Sequence, residues 1–487
     1  MRFIILITLI GVGLWSCNQT EHPEMQDLDL IGVKINEYLD LEAEAGFSGV
    51  IAVKRPGQDI QYRSYGYSNK ERAIFNSEQT VFDIGSLTKQ FTAAAILKLE
   101  MQGKLSVTDS LFKYFPEIPN DRIGITIHHL LTHTAGLPRS FGSDFERLKK
   151  DNLIIRAFQT KLQYEPGTGF KYSHVGYSLL GILIERVSGV SYENYLQENL
   201  FKPADMNNTG YILPQWDLST VANGYSRCRN FGKPMDVPWD AEGPYWNLKA
   251  NGGLLSTAVD MMAWIHALDN NLVLNEKAKE KYLKKHVSEG KKSVSHYSYG
   301  WTILDSRRNT QAFVHEGGNQ VFYSRWVNYP QEQVSILLLS NESRLGNSDI
   351  NFELAATIFY PNHEPVVKGL QAICMDSLPD NRLGEVAGEF IGLMTTQGLE
   401  DLEAFIDDYV GVYMSNKYSR KRITDELQSI QNESGPTRIK QLRVIDHRIL
   451  EIELVRIPDL QDIYIRLQLD PEDNYLLKRF YYKSDDS

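Results

Sequence analysis

The chain has 487 residues, 42% hydrophobic and 23% charged, with a formal net charge of −11. That length holds a large folded unit plus a smaller one, and the composition is that of a globular protein. The acidic balance leaves no basic excess to neutralise phosphates, which excludes nucleic acid as a partner.

In chain order, Arg2 precedes an apolar run from Phe3 to Trp15 that is too short to span a bilayer comfortably and fits the apolar region of a secretory signal. Leu14-Trp15-Ser16-Cys17 resembles a bacterial lipobox, although Trp15 stands where a small residue is usual. The expectation is a lipoprotein signal over residues 1–17, lipidation of Cys17, a polar tether over 18–28, and a location in the bacterial cell envelope, on the periplasmic side or cell surface. A simple secretory signal is the alternative. Apart from Cys17 the cysteines are Cys228 and Cys374, which form neither a disulfide framework nor a Cys-x-x-Cys motif and read as buried or unpaired thiols.

Apolar residues recur at helical spacing between Leu28 and Ala45 (Ile31, Ile35, Leu39). Gly49 to Val53 and Ile60 to Tyr65 then flank Arg55-Pro56-Gly57-Gln58, which predicts a β-hairpin. A helix carrying Ser86 follows and ends at Gly103, and another runs from Val175 to Val187 with a stop at Gly189. Ala312 to His315, Val321 to Tyr329 and Val334 to Leu339 read as strands. Hairpin, helices, then strands predict one antiparallel sheet in which the last strands pair with the first. Pro361, Pro365 and Pro379 mark a linker. Beyond it, helices at Gly384–Gln397, Leu399–Tyr413 and Ile423–Ile430 precede strands at Ile439–Ile445, Ile449–Ile457, Ile463–Leu469 and Tyr475–Tyr482. The fold class expected is therefore α+β: an antiparallel sheet flanked by helices over residues 29–362 and a linker over 363–380. A small cystatin- or NTF2-like α+β domain follows over 381–487.

The chemistry-bearing run is Asp83-Ile84-Gly85-Ser86-Leu87-Thr88-Lys89. A spacing of three puts Ser86 and Lys89 on one face of a first helical turn. A serine hydroxyl is a poor nucleophile at its free pKa, and an amine able to give up its charge activates it. The turn's free N–H groups favour developing negative charge. Ser-x-x-Lys also occurs at Ser110/Lys113, broken by Pro116, and at Ser288/Lys291, in a polar stretch that reads as an exposed loop. An isolated pair of this kind is a helix cap with a solvated lysine.

What separates Ser86 and Lys89 from those pairs is the company they keep. Glu165-Pro166-Gly167 leads into Tyr172-Ser173-His174, and later comes His315-Glu316-Gly317-Gly318-Asn319. With Ile125 to Leu137 and Asn251 to Thr257, these blocks in this order resemble the serine β-lactamase-like family, over about Ile31 to Tyr360. That family includes class C β-lactamases, D-alanyl-D-alanine carboxypeptidases and penicillin-binding-protein-type esterases. The resemblance implies a site between the sheet and a helical subdomain. It implies Ser86 as acyl-accepting nucleophile, Lys89 against it, Tyr172 as general base, and the N–H groups of Ser86 and Gly318 as oxyanion hole. Gly318 would leave room for substrate along its strand.

Two blocks depart from the family pattern. Tyr-x-Asn is Tyr172-Ser173-His174, and Lys-Thr-Gly is His315-Glu316-Gly317. His174, His315 and Gly317 are the expected substrate-binding residues, with His174 donating to a substrate carbonyl. A histidine in the lysine's place points away from penicillin turnover and towards esterases and peptidases. The expected activity is hydrolysis of an ester or peptide-like amide, such as a D-amino-acid peptide, through an acyl-enzyme on Ser86. The rivals are a true β-lactamase and a catalytically silent receptor for peptidoglycan fragments. No cofactor is expected. His128, His129 and His133 lack the glutamate of a His-Glu-x-x-His site and read as core and loop anchors. Tyr192-Glu193-Asn194 reads as surface helix, and no Gly-x-Ser-x-Gly elbow occurs.

Overall fold

The structure is a computed structural model that describes residues 29–226, 229–290, 293–319, 321–343, 347–367, 373–375, 377–395, 399–434, 437–446, 448–456 and 462–484. The leader, Cys17, Cys228 and Lys291 lie outside these residues. No helix among the described residues is long and apolar enough to cross a membrane.

An eight-stranded antiparallel sheet organises residues 29–360. Its order is Val287–Ser288, Ser295–Tyr297, Thr302–Asp305, Gln311–Gly318, Tyr323–Tyr329, Val334–Ser340, Gly49–Lys54 and Gln61–Tyr65. Strands from the two ends of this region pair as expected, with Val50 opposite Leu339 and Ala52 opposite Leu337. Period-two side chains split each central strand between two cores. Val50, Ala52, Leu337 and Leu339 face a large cluster with Phe91 and Trp264, whose rings lie 5.0 Å apart. Ile51, Val53, Ile336 and Leu338 face a second cluster with Ile35, Leu39 and Leu354. Leu30–Glu44 and Asn347–Phe359 cover that second face, while Thr88–Met101 and Ala258–Asp269 pack on the first.

Some details differ from the sequence reading. Ser86 sits in a 3-10 turn, Gly85–Leu87, that feeds the helix Thr88–Met101. Val287–Ser288 is an edge strand, not a loop. Tyr192 and Glu193 are buried, because Glu193 accepts the N–H groups of Tyr211, Ile212 and Leu213 at 2.6–2.9 Å. Ile373–Met375, inside the expected linker, pairs with Leu442–Val444. It opens a five-stranded C-terminal meander continued by Thr437–Asp446, Ile449–Arg456, Asp462–Asp470 and Leu476–Ser484. Helices such as Arg382–Thr395 and Arg420–Ser434 cover this sheet through a core of its own, including Phe390, Leu427, Ile452 and Ile465.

Candidate active site

The turn Gly85–Leu87, which carries Ser86, is wedged against the end of the strand Gln311–Gly318. Gly85 has φ +50°, and a methyl group there would lie 2.4 Å from the Gly318 nitrogen. A methyl on Gly317 would lie 2.2 Å from Ile84 O and 2.8 Å from Ser86 N. Only glycines let the two backbones approach this closely. Gly317 is therefore demanded by packing against the turn, and substrate clearance is not what constrains it. The approach brings the main-chain nitrogens of Ser86 and Gly318 to one rim of the cleft.

Lys89 is completely buried. Its Nζ lies 3.1 Å from Ser86 Oγ and donates to Asn251 O at 2.6 Å. Burial drives its proton affinity well below that of a free lysine, with Asp144 opposing and Arg139 adding to the shift. Tyr172 faces the same amine, with Lys89 Nζ 4.7 Å from its ring centroid and the Arg139 guanidinium at 5.6 Å. Burial pushes the phenol above its ordinary value, while the Ser86 hydroxyl and Arg139 pull it back. Both shifts act in the same sense: burial favours the neutral amine and the neutral phenol over their charged forms.

Tyr172 is held from behind. His133 packs on its ring at 4.4 Å, accepts the Ser173 N–H at Nδ1 (3.0 Å) and accepts the Lys171 N–H at its carbonyl (3.0 Å). Ser173 caps the helix His174–Ser188 and donates to Pro138 O at 2.7 Å. His128 and His129 likewise anchor structure, through Tyr299 OH (2.8 Å) and the Thr126 N–H (3.2 Å).

The remaining expected site residues take roles of a different sense. Asn251 Nδ2 donates to Ser178 Oγ (2.9 Å) and Asn247 O (2.7 Å), so its Oδ1 is an acceptor and His174 Nδ1, 2.9 Å away, must donate to it. His174 Nε2 is then an acceptor, and the donation to a substrate carbonyl expected from the sequence is reversed. Burial lowers His174 to about 2, so it does not carry a second proton near neutrality. His315 spends both nitrogens inside the protein: Nδ1 donates to Glu316 O (2.8 Å) and Nε2 accepts from Tyr297 OH (3.2 Å). Burial lowers it to about 3. It therefore offers substrate a ring edge rather than a hydrogen bond or a charge.

A cleft of about 890 Å³ opens over Ser86, with Tyr172, His174, Glu289, Glu316 and Gly318 on its walls. Its described lining residues all lie between Ser86 and Arg325. Among the residues supporting the site, His133 is a loop anchor as expected and Asn251 opens a block that carries the resemblance, whereas Arg139 is marked by no motif. Asn251 opens an Asn-Gly-Gly run and His133 a left-handed turn (φ 59°), both signs of a constrained backbone.

A family model described as Beta-lactamase matches residues 35–356. The chain belongs to the beta-lactamase family. Among similar proteins, PbpX of Bacillus subtilis (strain 168) is 32% identical over 248 residues, 51% of this chain and 61% of PbpX. The chain thus spans less than two thirds of that relative. The penicillin binding protein from Bacillus halodurans has 27% identity and a TM-score of 0.56, covering 67% of this chain and 99% of that one. The octameric penicillin-binding protein homologue from Pyrococcus abyssi has 21% identity and a TM-score of 0.60, covering 93% of this chain and 100% of that one, a likeness of fold. The beta-lactamase family is one of serine hydrolases, and this member has the β-lactamase/transpeptidase-like fold followed by a C-terminal sheet.

Proposed function

We propose that this protein hydrolyses an ester or a peptide-like amide, such as a D-amino-acid peptide, through an acyl-enzyme on Ser86. The observation that carries this reading is the buried Lys89 amine 3.1 Å from the Ser86 hydroxyl. Ser86 Oγ bonds to the acyl carbon and its proton passes to Lys89 Nζ. The N–H groups of Ser86 and Gly318 hold the oxyanion. The proton then travels through the Tyr172 hydroxyl to the departing oxygen or nitrogen as its bond to the acyl carbon breaks. Water then bonds to the acyl carbon and yields a proton to the pair; the bond from that carbon to Ser86 Oγ breaks, the proton returns to Oγ, and the acid leaves. Tyr172 thus relays a proton and the amine is the resting base, a different division of labour from a tyrosine acting as base. The chemistry in this reading is carried by side chains and backbone.

The commitment of both His315 nitrogens inside the protein supports a substrate other than a penicillin, because a neutral ring at that position cannot neutralise a carboxylate. The lipobox at Cys17 supports attachment to a membrane of the cell envelope through a lipid.

A serine-reactive fluorophosphonate probe and a panel of nitrophenyl esters, D-Ala-D-Ala peptides and β-lactams test the reading beside Ser86→Ala. Labelling and ester or peptide turnover that vanish in Ser86→Ala are expected. Fast cephalosporin turnover would make the protein a β-lactamase. Failure of the wild type to label would make it a binding protein.

A further inference from the structure

The buried carboxylate of Asp83, three residues before the nucleophile, takes no part in the chemistry above, yet it touches both halves of the oxyanion rim. Its Oδ1 accepts the Gly85 N–H at 2.7 Å, inside the nucleophile turn. Its Oδ2 accepts from Asn319 Nδ2 at 2.9 Å, one residue beyond Gly318. Asn319 Oδ1 in turn accepts the N–H groups of Val321 (2.9 Å) and Phe322 (2.8 Å), which fixes its amide so that the nitrogen faces Asp83. A parallel tie joins Ser324 Oγ to Ile84 O at 2.8 Å. Two segments far apart in sequence are thus clasped across one carboxylate at the point where their backbones are in contact.

We infer that the Asp83–Asn319 pair is a positioning device that sets the separation of the Ser86 and Gly318 N–H groups, and hence the rate of acylation. This rests on the reading of those groups as the oxyanion hole. Stability alone does not explain the carboxylate. Burial raises Asp83 to about 6, with Asp144 adding to the shift, so the ionised clasp is held at a cost near neutral pH. A raised carboxyl opposes folding once pH exceeds the unfolded value, so neutralising Asp83 does not weaken the fold as a purely structural bond would.

The test uses the full chain and a nitrophenyl ester with measured kcat, KM and thermal midpoint. Asp83→Asn sets two amide nitrogens face to face. It is expected to lower kcat about 10- to 100-fold with KM little changed and the midpoint at pH 7 unchanged or higher. Asn319→Ala, at the exposed rim, is a second variant expected to lose kcat by a similar factor. The double variant Asp83→Asn, Asn319→Asp restores an amide donor facing a carboxylate that still accepts from Val321 and Phe322. It is expected to recover to within about 5-fold of the wild type. The inference is overturned if the folded single variants keep full kcat, or if the folded double variant is no faster than the slower single. Ser86→Ala, run in parallel, separates the two readings: turnover that survives there defeats the acyl-enzyme, whereas turnover lost there and kept in Asp83→Asn defeats only the clasp.

Discussion

Lys89 shows how one side chain's environment sets its chemistry. A lysine exposed on a helix holds its proton at neutral pH, and such a residue cannot accept one from a serine. Here the amine is sealed beneath Asn251 and Tyr172, and its lowered proton affinity makes the folded state bind fewer protons than the unfolded chain. The sign follows: this group's effect on stability is unfavourable below its folded pKa and eases as pH rises towards that of a free lysine. Lys89→Met, which removes the ionisable group and keeps the stem, is expected to abolish ester turnover (more than about 1,000-fold) while leaving the unfolding midpoint at pH 7 within a few degrees of wild type or above it. Chemical denaturation and an ester assay check both halves. Rate should climb with pH through the lysine's depressed value, and not through a histidine, since His174 and His315 sit near 2 and 3. His315→Gln should therefore leave the apparent pKa of the kcat/KM profile between pH 5 and 8 in place.

At the level of elements, the decisive contact is backbone against backbone. The turn carrying Ser86 and the end of the strand Gln311–Gly318 meet where Gly85 and Gly317 have no side chains, and added methyl groups would collide at 2.4 Å and 2.2 Å. Alanine at Gly85 must also adopt a left-handed conformation. Gly85→Ala and Gly317→Ala should each cost about 1–3 kcal/mol of stability, read from denaturant midpoints. Each should slow fluorophosphonate labelling of Ser86 at least about 10-fold, because relief of the clash moves an oxyanion donor. The spacing Ser86-x-x-Lys89 is legible in the sequence because neighbours three apart on a helix must share a face. That Ser86 lies just ahead of the helix, in a 3-10 segment, is not, since whether a helix's first turn tightens depends on what packs against it.

Across the described residues, the sheet of residues 29–360 has two cores and the C-terminal sheet has one of its own. All seven tryptophans precede residue 327. Tryptophan fluorescence therefore carries no signal from the C-terminal part, whereas far-UV circular dichroism reports both. Separate cores lead us to expect denaturation curves from the two probes that do not coincide, with fluorescence showing a single step. Coincident curves would show the two parts unfolding as one unit. The strand pairing of Ile373–Met375 with Leu442–Val444 extends the C-terminal part into what proline content marks as a linker. A short β segment three residues long has too little pattern to stand out before its partner is known.

Alternating apolar residues, helix stops and motif spacing are local properties. They suffice to specify most helices and strands and the antiparallel pairing of the two ends, while the trio Ser86, Lys89 and Tyr172 is what the resemblance to the serine β-lactamase-like family implies. Four things emerge only when the chain is folded: the protonation state of each group, the direction of the His174 hydrogen, the commitment of His315 to Tyr297, and the reach of Asp83 to Asn319. Desolvation and hydrogen-bond direction depend on every neighbour that folding brings within a few ångströms, and those neighbours come from segments that no short-range pattern connects.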